Sequence, residues 1–190
     1  MTDSSKLAKM ALESGAIRLS PEKPFTWASG YKMPIYNDNR LLLGKAEYRS
    51  FIAQIFAKYS EASVDNVDVI SGTATAGIPH ATTLADRLSK PLIYVRATTK
   101  SHGMGNQIEG PLVPGQKVLL IEDLISTGGS AINAVNAIRE VGGIVENCFC
   151  IFSYGFIEAR QRFDEINCQY QSILTFPDLL KEAESMQMRS

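Results

Sequence analysis

Histidine, cysteine and tryptophan are scarce in this chain: two, three and one among 190 residues. Cys148, Cys150 and Cys168 contain no C-x-x-C pair, and His80 and His102 cannot complete a zinc set with them, since structural zinc takes four closely spaced thiolate or imidazole ligands. The cysteines read instead as small buried apolar residues of a reducing compartment. His80 follows Pro79 in the first turn of a predicted helix and reads as a satisfied structural histidine. An excess of either charge is also missing. Nineteen Lys plus Arg against 20 Asp plus Glu leave a formal charge of -1, so no global field draws the chain to nucleic acid or to an anionic membrane. No apolar run approaches the ~20 residues of a membrane span. Residues 1–19 mix Asp3, Lys6, Lys9 and Glu13 with Leu7, Met10, Ala11 and Leu12, an amphipathic helix rather than a signal peptide. Repeats and low-complexity tracts are absent. The expectation is one cytoplasmic globular domain with no nucleic-acid or membrane partner.

What is present is an alternation of short apolar runs with helical patterns. Runs at 67–70, 92–95, 118–121, 148–152 and 172–174 are bounded by Gly, Pro or polar residues and have the length of buried strands. Between them, apolar residues at helical spacing predict helices over 45–60, 78–88, 131–141 and 177–184. This alternation predicts an α/β fold, with a central, mostly parallel five-stranded sheet flanked by helices. Residues 20–43 break the pattern. They carry Pro21, Pro24, Gly30 and Pro34 beside Phe25, Trp27, Tyr31 and Tyr36, spaced too irregularly for helix or strand, which suggests a small hood over residues 1–44 and a core over 45–190.

The chemistry concentrates after the third run, where Glu122, Asp123, Leu124 and Ile125 lead into Ser126, Thr127, Gly128, Gly129 and Ser130. Ligands of open α/β sheets bind at such carboxyl ends. Thr127 to Ser130 can wrap amides and hydroxyls around a phosphate, helped by the positive end of the helix dipole. Glu122 and Asp123 are badly placed for phosphate and suited to hydroxyls or a metal; adjacent carboxylates there repel unless a ligand offsets their charge. A ribose 5-phosphate has both features. The P-loop pattern fails at Gln116 and the dinucleotide fingerprint at Ile108, where Lys and Gly are required.

The order of apolar strand, Glu-Asp, two apolar residues and Ser-Thr-Gly-Gly-Ser resembles the donor-binding motif of type I phosphoribosyltransferases. Tyr94-Val95-Arg96, Lys100-Ser101-His102-Gly103 and Asn106-Gln107-Ile108-Glu109-Gly110 resemble the mobile catalytic loop of orotate phosphoribosyltransferases. Phe25-Thr26-Trp27 through Ser29-Gly30 to Pro34-Ile35-Tyr36 resembles that family's base-binding hood. The resemblance implies the type I phosphoribosyltransferase fold and transfer of ribose 5-phosphate from 5-phosphoribosyl 1-diphosphate to orotate, in pyrimidine nucleotide synthesis. It implies that Glu122 and Asp123 hold the ribose hydroxyls, Thr127 to Ser130 the 5-phosphate, and residues 71–77 the diphosphate. Ser126 would lie where base and donor meet.

Arg96, Lys100 and His102 would contact the diphosphate, with Lys100, His102 and Asp123 catalytic and Mg²⁺ bound through the donor rather than by protein ligands. A homodimer would follow, with loop 97–114 closing into the partner's site and its glycines supplying the freedom to move. The chain reads Ala28 and Ala97 where many relatives have lysine, Thr75-Ala76 where some have Tyr-Lys, and Tyr154-Gly155 where some have an arginine that meets orotate. Lys32 is the expected substitute in the hood, beside Tyr36 at the orotate site. The alternatives are a purine or uracil phosphoribosyltransferase, and a donor-sensing nucleic-acid-binding regulator, which needs a basic surface.

Overall fold

The run Val69–Thr73 is buried at every position, as a strand covered on both faces must be. Its neighbours divide between those faces with period two. Ile70, Leu119, Ile121, Phe149 and Ile151 join one apolar cluster, while Val69, Val118, Leu120, Cys148 and Cys150 join the other. The structure is a computed structural model describing residues 2–26, 32–63, 66–98 and 107–186.

The chain opens with α1 (Asp3–Glu13), β1 (Ile17–Leu19), β2 (Phe25–Thr26), β3 (Lys32–Met33), β4 (Ile35–Asn37) and a 3₁₀ helix over Asn39–Gly44. Then follow α2 (Ala46–Ser63), β5 (Val69–Thr73), α3 (Gly77–Leu88), β6 (Leu92–Val95), β7 (Ile108–Glu109) and β8 (Lys117–Ile125). The chain continues through α4 (Gly129–Glu140), β9 (Ile144–Ser153), α5 (Ile157–Glu165), β10 (Gln169–Thr175) and α6 (Phe176–Ser185). The sheet order is β10-β9-β8-β5-β6-β7, parallel except for β7. One apolar cluster draws on α1, α2, α3 and α6, and the other on α4 and α5. The predicted α/β architecture is present, and among the described residues no helix is long and apolar enough to cross a membrane.

Four expectations need correction. The sheet has six strands, not five, because Ile108 and Glu109 pair antiparallel with Val95 and Tyr94. That pairing also shortens the expected loop 97–114. Gly110 is no hinge: its φ is +106°, and a Cβ there would stand 2.9 Å from the Leu92 carbonyl oxygen, so it permits close packing of the chain on the sheet edge. The opening helix ends at Glu13, and Ile17–Leu19 forms a strand paired with β4. Finally, α5 went unpredicted because only Ala159 and Phe163 of its nine residues are buried, too few to show a period.

All three cysteines are free and buried, as expected of small core residues. His80 is 1% exposed and its Nδ1 has no hydrogen-bond partner, so it is structural without being fully satisfied. Burial, reinforced by the Arg49 charge, lowers its pKa from 6.5 to about 4. Between those values the unfolded chain binds the proton and the folded protein does not, so stability falls as pH drops through this window. The loss amounts to about 3 kcal/mol once the pH is below both values. His80→Leu is expected to flatten the acid limb, so urea titrations at pH 7 and pH 5 should differ less for the variant than for the wild type.

Candidate active site

β8 carries the acids further than the sequence suggested. Glu122 and Asp123 do not mark the exit of the strand, since pairing with β9 continues through Leu124↔Phe152 and Ile125↔Ser153. Both carboxylates therefore stand within a paired strand near the sheet's centre. Glu122 is 4% exposed; its Oε1 accepts from the Asp123 backbone N–H at 3.0 Å and its Oε2 from the Ser130 hydroxyl at 3.0 Å. Burial first, and the adjacent Asp123 charge second, push the Glu122 carboxyl up to about 8. Burial raises Asp123 too, against hydrogen bonds that favour its charged form.

Ser126 and Thr127 turn the chain into Gly128, whose left-handed backbone leads directly into α4. No side chain caps this helix, so the N–H groups of its first turn, at Gly129, Ser130 and Ala131, lack intrahelical acceptors and can serve an anion. A cation supports the turn from below. Arg162 of α5 donates to the Thr127 carbonyl at 3.1 Å, and its Nη1 would stand 3.8 Å from a Cβ at Gly129. Sequence reasoning missed Arg162 because it missed α5.

The segment after β5 reaches the same place. A Cβ at Gly77 would lie 2.5 Å from the Ile121 carbonyl oxygen, so only glycine lets the start of α3 approach β8 one residue before Glu122. The Ala74–Thr75 peptide bond in this turn is cis, and the Ala74 N–H donates to the Val95 carbonyl at 2.8 Å.

The hood elements close over the other side. β1 and β4 pair antiparallel with Arg18 opposite Tyr36, and β2 pairs with β3. The Arg18 guanidinium lies 4.9 Å from the Tyr36 ring centroid and 5.5 Å from that of Phe25. Asn39, 1% exposed, donates from Nδ2 to the Asp123 carbonyl at 2.7 Å, tying the hood to β8. Asp38 and Arg40 form an ion pair beside it, at 2.6 Å. Between β4 and the end of β8 lies a cavity of about 240 Å³ lined by Tyr36, Asn37, Leu124, Ser126 and Tyr154. Two larger cavities, about 530 and 470 Å³, run along α5 and β10 and include no residue of the acidic pair or the phosphate turn.

The structure thus brings Glu122, Asp123, Leu124, Ile125, Ser126, Thr127, Gly128, Gly129 and Ser130 into one turn, with Tyr36 across a cavity from Ser126. It does not bring Lys32 there. Lys32 is exposed, opposite Thr26 in the β2–β3 pair, and does not line that cavity. Arg96 follows β6 and pairs with Glu109 of β7 at 3.7 Å. Lys100 and His102, like Trp27, lie outside the described residues. Asn39 is a further site neighbour that no motif flagged, and Tyr154, at the position where some relatives have an arginine, lines the cavity.

Because folding raises the Glu122 pKa from 4.5 to about 8, the folded protein binds this proton more tightly than the unfolded chain does. The associated stability is fully present below pH 4.5 and is lost as pH rises through 8. Glu122→Gln, which imitates the protonated form, is expected to raise the apo protein's melting temperature by roughly 5 °C or more at pH 8. At pH 4 the two proteins should melt nearly together; equal differences at both pH values would contradict the shift.

Comparison with known proteins is consistent with this geometry. The family model described as "Phosphoribosyl transferase domain" matches residues 42–172. The orotate phosphoribosyltransferase of Listeria innocua is 48% identical over 183 residues, 96% of this chain and 88% of that one. That of Streptococcus sanguinis is 44% identical over 97% of this chain and 88% of its own. Among solved structures, the orotate phosphoribosyltransferase of Aeropyrum pernix superposes with a TM-score of 0.82 at 28% identity, covering 97% of this chain and 99% of that one. A domain match over most of the chain and near-half identity from end to end establish that this protein belongs to the phosphoribosyltransferase family, among the orotate phosphoribosyltransferases.

Proposed function

We propose that the protein transfers the ribose 5-phosphate group of 5-phosphoribosyl 1-diphosphate to orotate, giving orotidine 5'-phosphate and diphosphate as a step of pyrimidine nucleotide synthesis. The observation that carries the reading is the run on one strand and turn, in which the buried Glu122 and half-buried Asp123 lead within a few residues into an uncapped helix start. Ribose hydroxyls donate to Glu122 and Asp123, and the 5-phosphate takes the N–H groups and hydroxyls of Thr127 to Ser130. These contacts hold the donor at both ends and fix the anomeric carbon near Ser126. Leu124 and Ile125 supply the backbone between the two ends. The acceptor ring occupies the cavity between Tyr36 and Ser126, whose volume of about 240 Å³ is below that of a pocket for drug-sized ligands and suits a single ring. A solved complex of the Mycobacterium tuberculosis orotate phosphoribosyltransferase with 5-phospho-alpha-D-ribosyl 1-diphosphate, 26% identical with a TM-score of 0.73, supports the choice of donor.

Breaking the bond from anomeric carbon to diphosphate oxygen builds positive charge on the sugar and negative charge on the leaving group, so the site must neutralise the latter. In this reading Arg96, Lys100 and His102 do so, together with the segment 71–77. Lys100 and His102 reach the site from the loop between β6 and β7, which closes into the partner of a homodimer and excludes water. The buried Glu122 and half-buried Asp123 suit a cation arriving with its ligand. Mg²⁺ carried on the donor's own oxygens would offset the charge on diphosphate. The hood, residues 1–44, walls the acceptor and the core, residues 45–190, holds the donor; three free buried thiols suit a cytoplasmic setting.

An ultraviolet assay with Mg²⁺ and phosphoribosyl diphosphate, offering orotate, uracil, adenine, guanine and xanthine separately, tests the reading. Orotate should be consumed, and Asp123→Asn or Lys100→Ala should each lower kcat by about 10²-fold. Consumption of another base instead would keep the donor site and overturn the acceptor. Because Lys32 lies outside the cavity, Lys32→Ala should leave KM for orotate within about twofold, and a raised KM would return Lys32 to the site.

A further inference from the structure

Arg162 carries its charge to a place that a helix by itself disfavours. It stands in the last turn of α5, where a cation ordinarily complements the helix dipole from solvent. Instead its half-buried side chain crosses to the turn after β8, and its Nη1 donates to the Thr127 carbonyl at 3.1 Å. The same nitrogen would stand 3.8 Å from a Cβ at Gly129, the first residue of α4. A cation beside a helix N-terminus opposes the dipole, which favours anions there. α4 has neither an acidic residue in its first turn nor a side-chain cap, and none of the ion pairs among the described residues includes Arg162. A guanidinium and a positive helix end therefore meet with no carboxylate between them, an arrangement that a bound anion completes.

The hydrogen bond also decides which way one peptide points. The Thr127–Gly128 peptide is trans, so its carbonyl and its N–H point to opposite sides of the chain. With the carbonyl held on the α5 side, the Gly128 N–H is presented on the other. Gly128 has a φ of +82°, and glycine accepts both signs of φ, so its own backbone does not prevent this peptide from turning over. Turned over, it would aim a carbonyl oxygen at a bound phosphate. The next residue of α5, Phe163, is 1% exposed and would lie 3.0 Å from a Cβ at Gly128, so α5 packs closely enough on the turn to hold Arg162 in place. We infer that Arg162 is a positioning residue for the donor: by gripping the Thr127 carbonyl it keeps the Gly128 N–H aimed at the 5-phosphate, and its charge offsets that of the phosphate across the turn. This rests on the reading of the turn as the 5-phosphate site, and it is independent of which base is the acceptor.

Calorimetric titration of the protein with two fragments of the donor, each in the presence of Mg²⁺, tests the role. Ribose 5-phosphate uses the turn, whereas inorganic diphosphate takes the place of the leaving group. Arg162→Ala should raise Kd for ribose 5-phosphate at least about tenfold, the scale of a lost hydrogen bond to a charged group, while Kd for diphosphate stays within about twofold. Arg162→Gln, which keeps a donor for the carbonyl and loses the charge, should show the same split at about threefold or more, and it serves if the alanine variant does not fold. An arginine that merely holds α5 in place predicts that both Kd values move together or that neither moves, and either result overturns the inference. The wild type separates the two claims. A wild type that binds no ribose 5-phosphate defeats the donor-site reading and this inference with it, whereas normal wild-type binding with unmoved variants defeats the inference alone.

Discussion

Two adjacent carboxylates are held inside a paired strand, and much of the surrounding structure answers to that constraint. Glu122 is almost wholly buried and is raised by burial and by its neighbour's charge, so the free protein keeps an electrostatic tension that solvent cannot relax. The Ser130 hydroxyl and the Asp123 N–H each satisfy one Glu122 oxygen. The Ser130 bond links the acids to the first turn of α4. Carboxylates and anion-binding turn therefore form one rigid unit, and a ligand with hydroxyls at one end and phosphate at the other meets both in fixed geometry.

That unit is fitted to its neighbours by close backbone approach rather than by long side chains. Gly77 brings α3 against β8 beside Glu122, and Arg162 supports the turn through the Thr127 carbonyl. On the opposite side Asn39 grips the Asp123 carbonyl, so the hood is anchored to the residue pair that would hold the ribose. On the proposed reading, acceptor cavity and donor site share β8 from Asp123 to Ser126. A displacement of the hood would move the Tyr36–Asn37 wall of the cavity relative to β8, which is the geometric coupling that a transfer between two bound molecules requires.

The far edge of the sheet has another design. β7 closes the sheet antiparallel to β6, and Arg96 is paired with Glu109 across it. Gly110 packs on Leu92 and Ile93, and the Gln107 carbonyl accepts from the Arg96 N–H at 2.9 Å, so β7 and the residue before it are fixed on the sheet edge.

The sequence by itself determined the five parallel strands, since buried strands are unbroken apolar runs whose meaning is local, and it marked the run of acids, small residues and helix start that is contiguous from Glu122 to Ser130. It also marked the hood as irregular, from the density of proline and aromatic residues between Ser20 and Leu43. Only the tertiary structure decided what depends on partners distant in sequence. Ile108 and Glu109 are a strand because Tyr94 and Val95 lie beside them, and two residues carry no period of their own. The acids lie inside β8 rather than at its exit because β9 runs alongside to Ser153. Arg162, Asn39 and Tyr154 reach the site from 28 to 84 residues away, the first two through single hydrogen bonds to Thr127 and Asp123 and Tyr154 through the wall it shares with Ser126. Lys32, attractive by its charge, is set on the exposed β2–β3 pair by register alone. Which polar groups end up buried without partners, as at Asn37, is likewise a property of packing, because burial is decided by everything that surrounds a side chain and not by the residues next to it in the chain.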